Sequence, residues 1–475
     1  MKKLLLFSFC FIFLIPHLKA QNFNLDTILY NGTSDKYINF VVLGDGYSAS
    51  EMTTYHDDVL HLKDNFFNKA PFSNYRNYFN LISIQVISPQ SGIGHPRTAN
   101  DCPSSAEFPA FTANNYFGTS FDVSSIHRLL YPSNSKFALL GSVVNNHVPD
   151  YDQILILTNS SQYGGAGGAY AVCSTHPLAV EIMLHEVGHS FGGLADEYWA
   201  GEYYAGEKPN MTHQNNANPS SVKWKNWLNT GGVGIYAHGN SGVPAQWFKP
   251  HTNCEMEFLQ KEFCPVCRQQ IVQKIQSLVN PIETYEPTDL NINSPSNSID
   301  FKLTKLILPS PNTLKIEWQH NNAIVAQNMD TFSLSASTIG NDGHTVIAIV
   351  TDTTNYLRTD ASYTFNVNKV IWQINGGGDT SGVQIREELV RNEYKVFPNP
   401  AQNAIFIQSK NLNPKEILAV QMSNITGQIV YNKEYSAQSE RFQLEIDTNN
   451  IPEGIYTIQI ITKKGIDALK VTIKK

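Results

Sequence analysis

Two histidines four residues apart, with a glutamate directly after the first, form the segment His185-Glu186-Val-Gly-His189. On an α-helix, side chains four apart share a face, so both imidazoles can offer a ring nitrogen to one metal ion. The expected cofactor is a single catalytic Zn2+, which normally takes three protein ligands and keeps one position for water. Glu186 would then act as general base and acid, taking a proton from a water on the metal and passing it to a leaving amine. A purely structural zinc would instead recruit cysteines and four protein ligands, and would have no need of that glutamate. Asp196 is the expected third ligand. Glu197 is the alternative, because either carboxylate could turn inward from a loop. Tyr198, next along, either orients a carbonyl oxyanion or packs.

These residues need a rigid frame. Leu178 to Leu184 read as the lead of the motif helix, and Gly192 and Gly193 supply its stop. Upstream, residues 36–48 (KYINFVVLGDGYS) form a strand running into a turn, and 49–69 an amphipathic helix with Met52, Tyr55, Val59, Leu62 and Phe66 in register. Residues 80–88 and 151–158 are apolar strands. Strand, helix, strand, strand and motif helix make an α/β (α+β) layout. The glycine-rich stretch 163–168 either admits a substrate backbone or is a mobile loop. A helix starting near Pro265, within 262–280, closes this part. After Pro281 the chain turns to short alternating strands, which predict an immunoglobulin-like β-sandwich of about one hundred residues.

The first twenty residues have a basic start, an apolar run from Leu4 to Pro16 and Ala20 at a cleavage position, the pattern of a secretory signal peptide. The run is shorter than the ~20 residues that span a bilayer, and no later stretch is apolar enough for a transmembrane segment. The net charge of −7, more negative once Lys2, Lys3 and Lys19 are removed, and the lack of a basic stripe argue against nucleic acid as a partner. Export permits disulfides. Beyond the leader stand Cys102, Cys173, Cys254, Cys264 and Cys267, and a structural disulfide among the last three is expected. The Cys264-Pro-Val-Cys267 pair lacks a second pair to complete a zinc knuckle.

Several segments carry a family resemblance. Gly44-Asp-Gly-Tyr47, Tyr163 to Gly168, His185 to Tyr198, and Cys254-x-Met256 with Phe263 to Arg268 resemble the IgA peptidase family, number sixty-four among the metallopeptidases. The resemblance implies a metzincin-like endopeptidase over residues 21–282, with His185, His189 and an acidic residue on zinc and Glu186 as base. Gly193 to Asp196 repeats the metzincin G-x-x-ligand spacing, one residue farther from His189 than usual, and Ala195 at the usual position cannot bind metal. Met256 is a candidate for the methionine turn beneath such a zinc. The sandwich would span 283–376 and a linker 377–393. Residues 394–475, with Phe397-Pro-Asn-Pro400, Asn424 to Val430 and Pro452-Glu-Gly-Ile-Tyr456, resemble the C-terminal sorting domain of the Bacteroidetes type IX secretion system. That resemblance implies passage through the periplasm, type IX machinery as a partner, and a secreted or cell-surface location. The expected activity is hydrolysis of peptide bonds in extracellular proteins or peptides. A surface-binding protein or adhesin with a degenerate peptidase fold is the alternative, and a metal hydrolase of glycans or esters a third reading.

Overall fold

The computed structural model describes residues 22–474 apart from 294–296, 307, 309–310, 340–341, 361–362, 376–393, 398–400, 403, 410–416, 425–428, 437–441 and 463–464. The expected leader and linker lie outside these residues. The chain divides into two units between Gly378 and Asp379.

The first unit begins with a six-stranded sheet built from β1 (Leu25–Leu29), β2 (Ile38–Asp45), β3 (Phe79–Ile84), β4 (Gln153–Thr158), β5 (Gly165–Ala166) and β6 (Ala171–Cys173), in the order β1-β3-β2-β4-β6-β5. The four central strands are parallel, and β1 and β5 run antiparallel at the edges. Every residue of β2 is buried, as expected of a strand covered on both faces. At its end the Asp45 carboxylate accepts from the backbone N–H groups of Gly46, Tyr116, Phe117 and Thr119, which fixes the 116–119 loop across the strand tip.

Helix α1 (Met52–Phe66) buries Tyr55, Val59, Leu62 and Phe66 on one stripe, and the Tyr55 hydroxyl donates to Val42 O at 3.0 Å. It is shorter than the expected 49–69, because residues 49–51 form a 3-10 turn and Glu51 Oε2 accepts from Ser48 N at 2.8 Å. Helix α2 (Phe137–His147) was not legible in the sequence: Val143, Val144, Asn145 and Asn146 are weak helix formers. Burial of Leu140, Val143 and Val144 stabilises it instead. The motif helix α3 (Ala179–Ser190) follows β6, and α4 (Pro265–Leu278) ends this part of the chain. Between them lies a small sheet, β7 (Thr212–His213), β8 (Tyr236–Ala237) and β9 (Trp247–Lys249), with β9 central.

Two further sheets complete the unit. One joins β10 (Ile282–Glu286), β12 (Ile299–Lys305) and β15 (Thr331–Leu334). The other joins β11 (Asn291–Asn293), β13 (Leu314–His320), β14 (Ala323–Gln327), β16 (His344–Asp352) and β17 (Val367–Asn375). Burial alternates along β12, β13, β16 and β17, and Phe301 of the first sheet meets Trp372 of the second edge-to-face, with centroids 4.9 Å apart. Strands β10, β11 and β14 are short, at five, three and five residues, and none shows a buried apolar face in its sequence.

The second unit has its own core, with Ile405, Val420, Met422, Ile446, Ile458 and Ile460 buried between two sheets. One holds β18 (Lys395–Phe397), β19 (Ala404–Ser409) and β22 (Phe442–Asp447). The other holds β20 (Ile417–Asn424), β21 (Ile429–Ser436), β23 (Gly454–Thr462) and β24 (Gly465–Ile473). The chain is therefore mixed α/β with many sheets and few helices. No helix among the described residues is long and apolar enough to cross a membrane.

Within the first unit a buried polar seam ties the α/β part to the two facing sheets. Asp352, at the end of β16, accepts from Tyr75 Oη at 2.7 Å and Gln276 Nε2 at 2.8 Å across the seam, and from Thr313 Oγ1 at 2.7 Å on its own side. Burial and the adjacent carboxylate hold the Tyr75 phenol in its neutral, donating form, well above its usual pKa. Asp352→Ala would leave buried donors unpaired, and is expected to cost about 3 kcal/mol. Denaturant unfolding of the variant checks this, and an unchanged midpoint would refute the seam as a stabilising contact.

Candidate metal centre

Helix α3 buries Val180, Met183, Leu184 and Val187 against the sheet and starts where Leu178 N donates to His176 Nδ1 at 3.2 Å. The chain turns away at Gly193 (φ +65°). This leaves His185 and His189 one helical turn apart, with their Nε2 atoms separated by 3.2 Å. Asp196 returns from the following loop and brings Oδ1 to 3.0 Å from His185 Nε2 and 3.2 Å from His189 Nε2. Asn210 holds that loop: its Oδ1 accepts from Ala195 N at 2.7 Å and its Nδ2 donates to Ala195 O at 2.9 Å.

The far ring nitrogens fix the protonation state. His185 Nδ1 lies 2.9 Å from Glu255 O, and His189 Nδ1 lies 2.9 Å from Leu194 O. A carbonyl can only accept, so each Nδ1 carries a proton and each Nε2 points inward, where it could ligate a metal. Two imidazole nitrogens and a carboxylate oxygen at these separations match the edges, about 3.3 Å, of a tetrahedron around zinc with ~2.0 Å bonds. The site's own electrostatics favour a positive charge there. Burial opposes protonation of His189, yet the Asp196 carboxylate outweighs it and holds the imidazole at about 9. Burial would likewise raise Asp196, but His189 and the imidazole hydrogen bonds hold it well below the usual carboxylate range. The donor set therefore fits a divalent cation replacing that proton.

Glu186 stands beside the triad, its carboxylate within 4.8 Å of ring nitrogens of both histidines. Burial, the largest influence, pushes its pKa up against the opposing pull of His185 and His189. Space for it comes from the glycine-rich stretch. A Cβ on Gly167 would lie 2.6 Å from Glu186 Oε2 and 3.0 Å from His189 Cβ. Gly165 and Ala166 form edge strand β5. The glycines thus make room for residues of α3, a role the sequence reading did not weigh.

Tyr198 stacks on His185, with centroids 6.2 Å apart and planes at 21°. Met256 is fully buried under α3, so close that a Cβ on Gly188 would lie 2.5 Å from its Sδ. Beside Asp196 an open depression is lined by Tyr198, Trp199, Gly201, Tyr204 and Met211. Glu197 faces away from the histidines: its Oε1 accepts from Asn210 Nδ2 at 3.0 Å and lies 3.0 Å from Cys267 Sγ. The expected disulfide is corrected by the structure, in which Cys254, Cys264 and Cys267 are free thiols, with Cys254 Sγ 3.8 Å from Cys267 Sγ. A bonded pair would sit near 2.05 Å. Another buried cluster is organised on Asp122 Oδ1, which lies 2.9 Å from His127 Nδ1 and 3.4 Å from Cys102 Sγ. The carbonyls of Glu255 and Leu194 were missed by sequence reasoning, since a backbone oxygen carries no residue signature.

A mixed α/β domain with a two-histidine, one-carboxylate centre and an adjacent glutamate has the parts of a metal-dependent hydrolase. The family model described as IgA Peptidase M64 matches residues 27–233, so that region is similar to the peptidases of this family. The model described as Secretion system C-terminal sorting domain matches residues 395–474, which marks the chain for type IX export to the cell surface or beyond. No curated protein matches. Among solved structures, the dimeric latent PorU of Porphyromonas gingivalis is 13% identical over 40% of this chain and 20% of its own length, with a TM-score of 0.18. This chain thus spans about a fifth of that protein. The fibronectin(III)-like modules of Clostridium thermocellum CbhA are 11% identical over 40% of this chain and 93% of theirs, at a TM-score of 0.13.

Gly167→Ala tests the packing around Glu186. Displacing that carboxylate is expected to lower peptidase activity by about 10²-fold while the unfolding midpoint stays within error. Unaltered activity would show that the carboxylate has room to spare.

Proposed function

We propose that the chain is a secreted zinc endopeptidase that hydrolyses peptide bonds of extracellular proteins at the His185, His189 and Asp196 centre. The observation that carries this reading is the convergence of two Nε2 atoms and Asp196 Oδ1, within 3.2 Å of one another, beside the Glu186 carboxylate. The three residues hold the ion, and Glu255 O and Leu194 O orient the rings. Zinc at such a site supplies Lewis acidity, which polarises a peptide carbonyl and makes a water easier to deprotonate. Glu186 takes the proton of the attacking water and delivers it to the nitrogen of the departing amine. Its raised proton affinity suits both transfers. Tyr198 keeps the His185 ring in plane by stacking, and the aromatic depression beside Asp196 is where substrate side chains are received.

The finer fold belongs to the same reading. Met256 beneath α3 supports a metzincin-like core over 21–282. The two facing sheets support an immunoglobulin-like sandwich over 283–376, followed by a linker, 377–393, and the sorting domain, 394–475.

Glu186→Gln keeps the shape of the site and removes the base. Cleavage of a mixture of extracellular proteins, followed by sequencing of new N-termini, is expected to fall by about 10²- to 10⁴-fold, with one zinc still bound at the histidines. Full proteolysis by this variant would sink the mechanism. Unchanged zinc content in a His185→Ala/His189→Ala variant would sink the ligand assignment.

A further inference from the structure

Behind the catalytic loop, four potential ligands meet in a fully buried pocket. Glu197, Cys254 and Cys267 are inaccessible to solvent and Cys264 nearly so, and their ligand atoms all lie within 4.8 Å of one another. Cys254 Sγ is 3.8 Å from Cys267 Sγ; Glu197 Oε1 is 3.0 Å from Cys267 Sγ and 3.8 Å from Cys264 Sγ. Glu197 Oε2 has no hydrogen-bond partner among the described residues, although it is buried. The Lys249 ammonium is committed to Glu197 O, at 2.7 Å, and to the Glu257 carboxylate. An unpaired buried carboxylate oxygen is costly and needs a cation or a proton.

We propose that Glu197, Cys254, Cys264 and Cys267 bind a second zinc ion, a structural one, separate from the ion at His185, His189 and Asp196. Tetrahedral zinc with Zn–S bonds of ~2.3 Å sets its sulfur atoms about 3.8 Å apart and a sulfur and a carboxylate oxygen about 3.5 Å apart, and the observed separations bracket these values. The pocket is dressed for thiolates. Cys264 N donates to Cys254 Sγ at 3.2 Å, and the Cys264-Pro265-Val266-Cys267 turn opens the 14-residue helix α4, whose N-terminal dipole favours negative sulfur. Binding sends the thiol and carboxyl protons to solvent. Part of the negative charge that remains is offset by Asn210 Nδ2, which donates to Glu197 Oε1, and by the N-terminus of α4. The missing half of the cysteine knuckle is thus supplied by one cysteine ten residues upstream and by a glutamate from a distant loop.

The site explains how the catalytic ligands are held. Glu197 adjoins Asp196, and Glu197 N donates to Met256 O at 2.7 Å. Cys254 adjoins Glu255, whose carbonyl orients His185. One ion in this pocket therefore fastens the 194–198 loop, the 254–257 turn and the start of α4 to each other. Its residues are positioning residues for the peptidase centre.

The test uses the full chain, purified without chelator or reductant. Elemental analysis is expected to give two zinc ions per chain, and one in the His185→Ala/His189→Ala variant. Exchange of that variant into Co(II) should give sulfur-to-cobalt charge-transfer absorption in the near ultraviolet, which nitrogen and oxygen ligands cannot supply, and Cys267→Ser in the same background, which leaves two of the three sulfur atoms, should lower it by about a third or more. Should the serine variant fail to fold, the absorption of the histidine variant alone decides. Absence of that absorption, or mass spectrometry showing a disulfide among Cys254, Cys264 and Cys267, overturns the proposal. Either result with proteolysis intact leaves the peptidase reading standing.

Discussion

The structure turns on how two histidine rings are held by their far sides. Each Nδ1–H is spent on a backbone carbonyl, Glu255 O for His185 and Leu194 O for His189, and only then do the Nε2 atoms face each other and Asp196 with their lone pairs inward. Without those carbonyls, rotation or a change of tautomer would scatter the donors. Much of the surrounding fold serves this arrangement: the parallel sheet braces α3 from one side, Met256 closes under it from the other, and Asn210 fixes the loop that carries Asp196.

The sequence revealed those parts whose signal is local. Spacing of four on an apolar helix told that His185 and His189 share a face, and the continuous apolar runs of β2, β3 and β4 told of a buried sheet. What stayed hidden depends on contacts distant in the chain. Glu255 lies seventy positions from the histidine it orients. The choice between Asp196 and Glu197 could not be read from composition, because adjacent residues in a loop point to opposite sides and contacts distant in the chain, Asn210, Met256 O and Cys267 Sγ, decide which faces the histidines. The cysteines misled for a related reason: counted as an odd set in an exported chain they suggested a bridge, whereas the folded chain adds a carboxylate to them.

Adjacent carboxylates with opposite duties also constrain the loop itself. Asp196 is partly open to the depression lined by Tyr198 and Tyr204, while Glu197 is sealed among thiols. The backbone between them must hold one residue beside the depression and the next in the interior, which leaves it little freedom to move. Freedom to move is left to the neighbouring side chains of Tyr203 and Tyr204, which stand exposed.

The carbonyl of Glu255 has a consequence for what counts as a module. The region matched by the peptidase family ends at residue 233, and both histidines lie inside it. The oxygen that sets the first histidine's tautomer, the methionine beneath the helix and the start of α4 all lie outside. Inheritance of recognisable sequence and inheritance of a working centre therefore have different borders in this chain. A fragment copied along the first border would carry both histidines into a new protein without the carbonyl that orients His185.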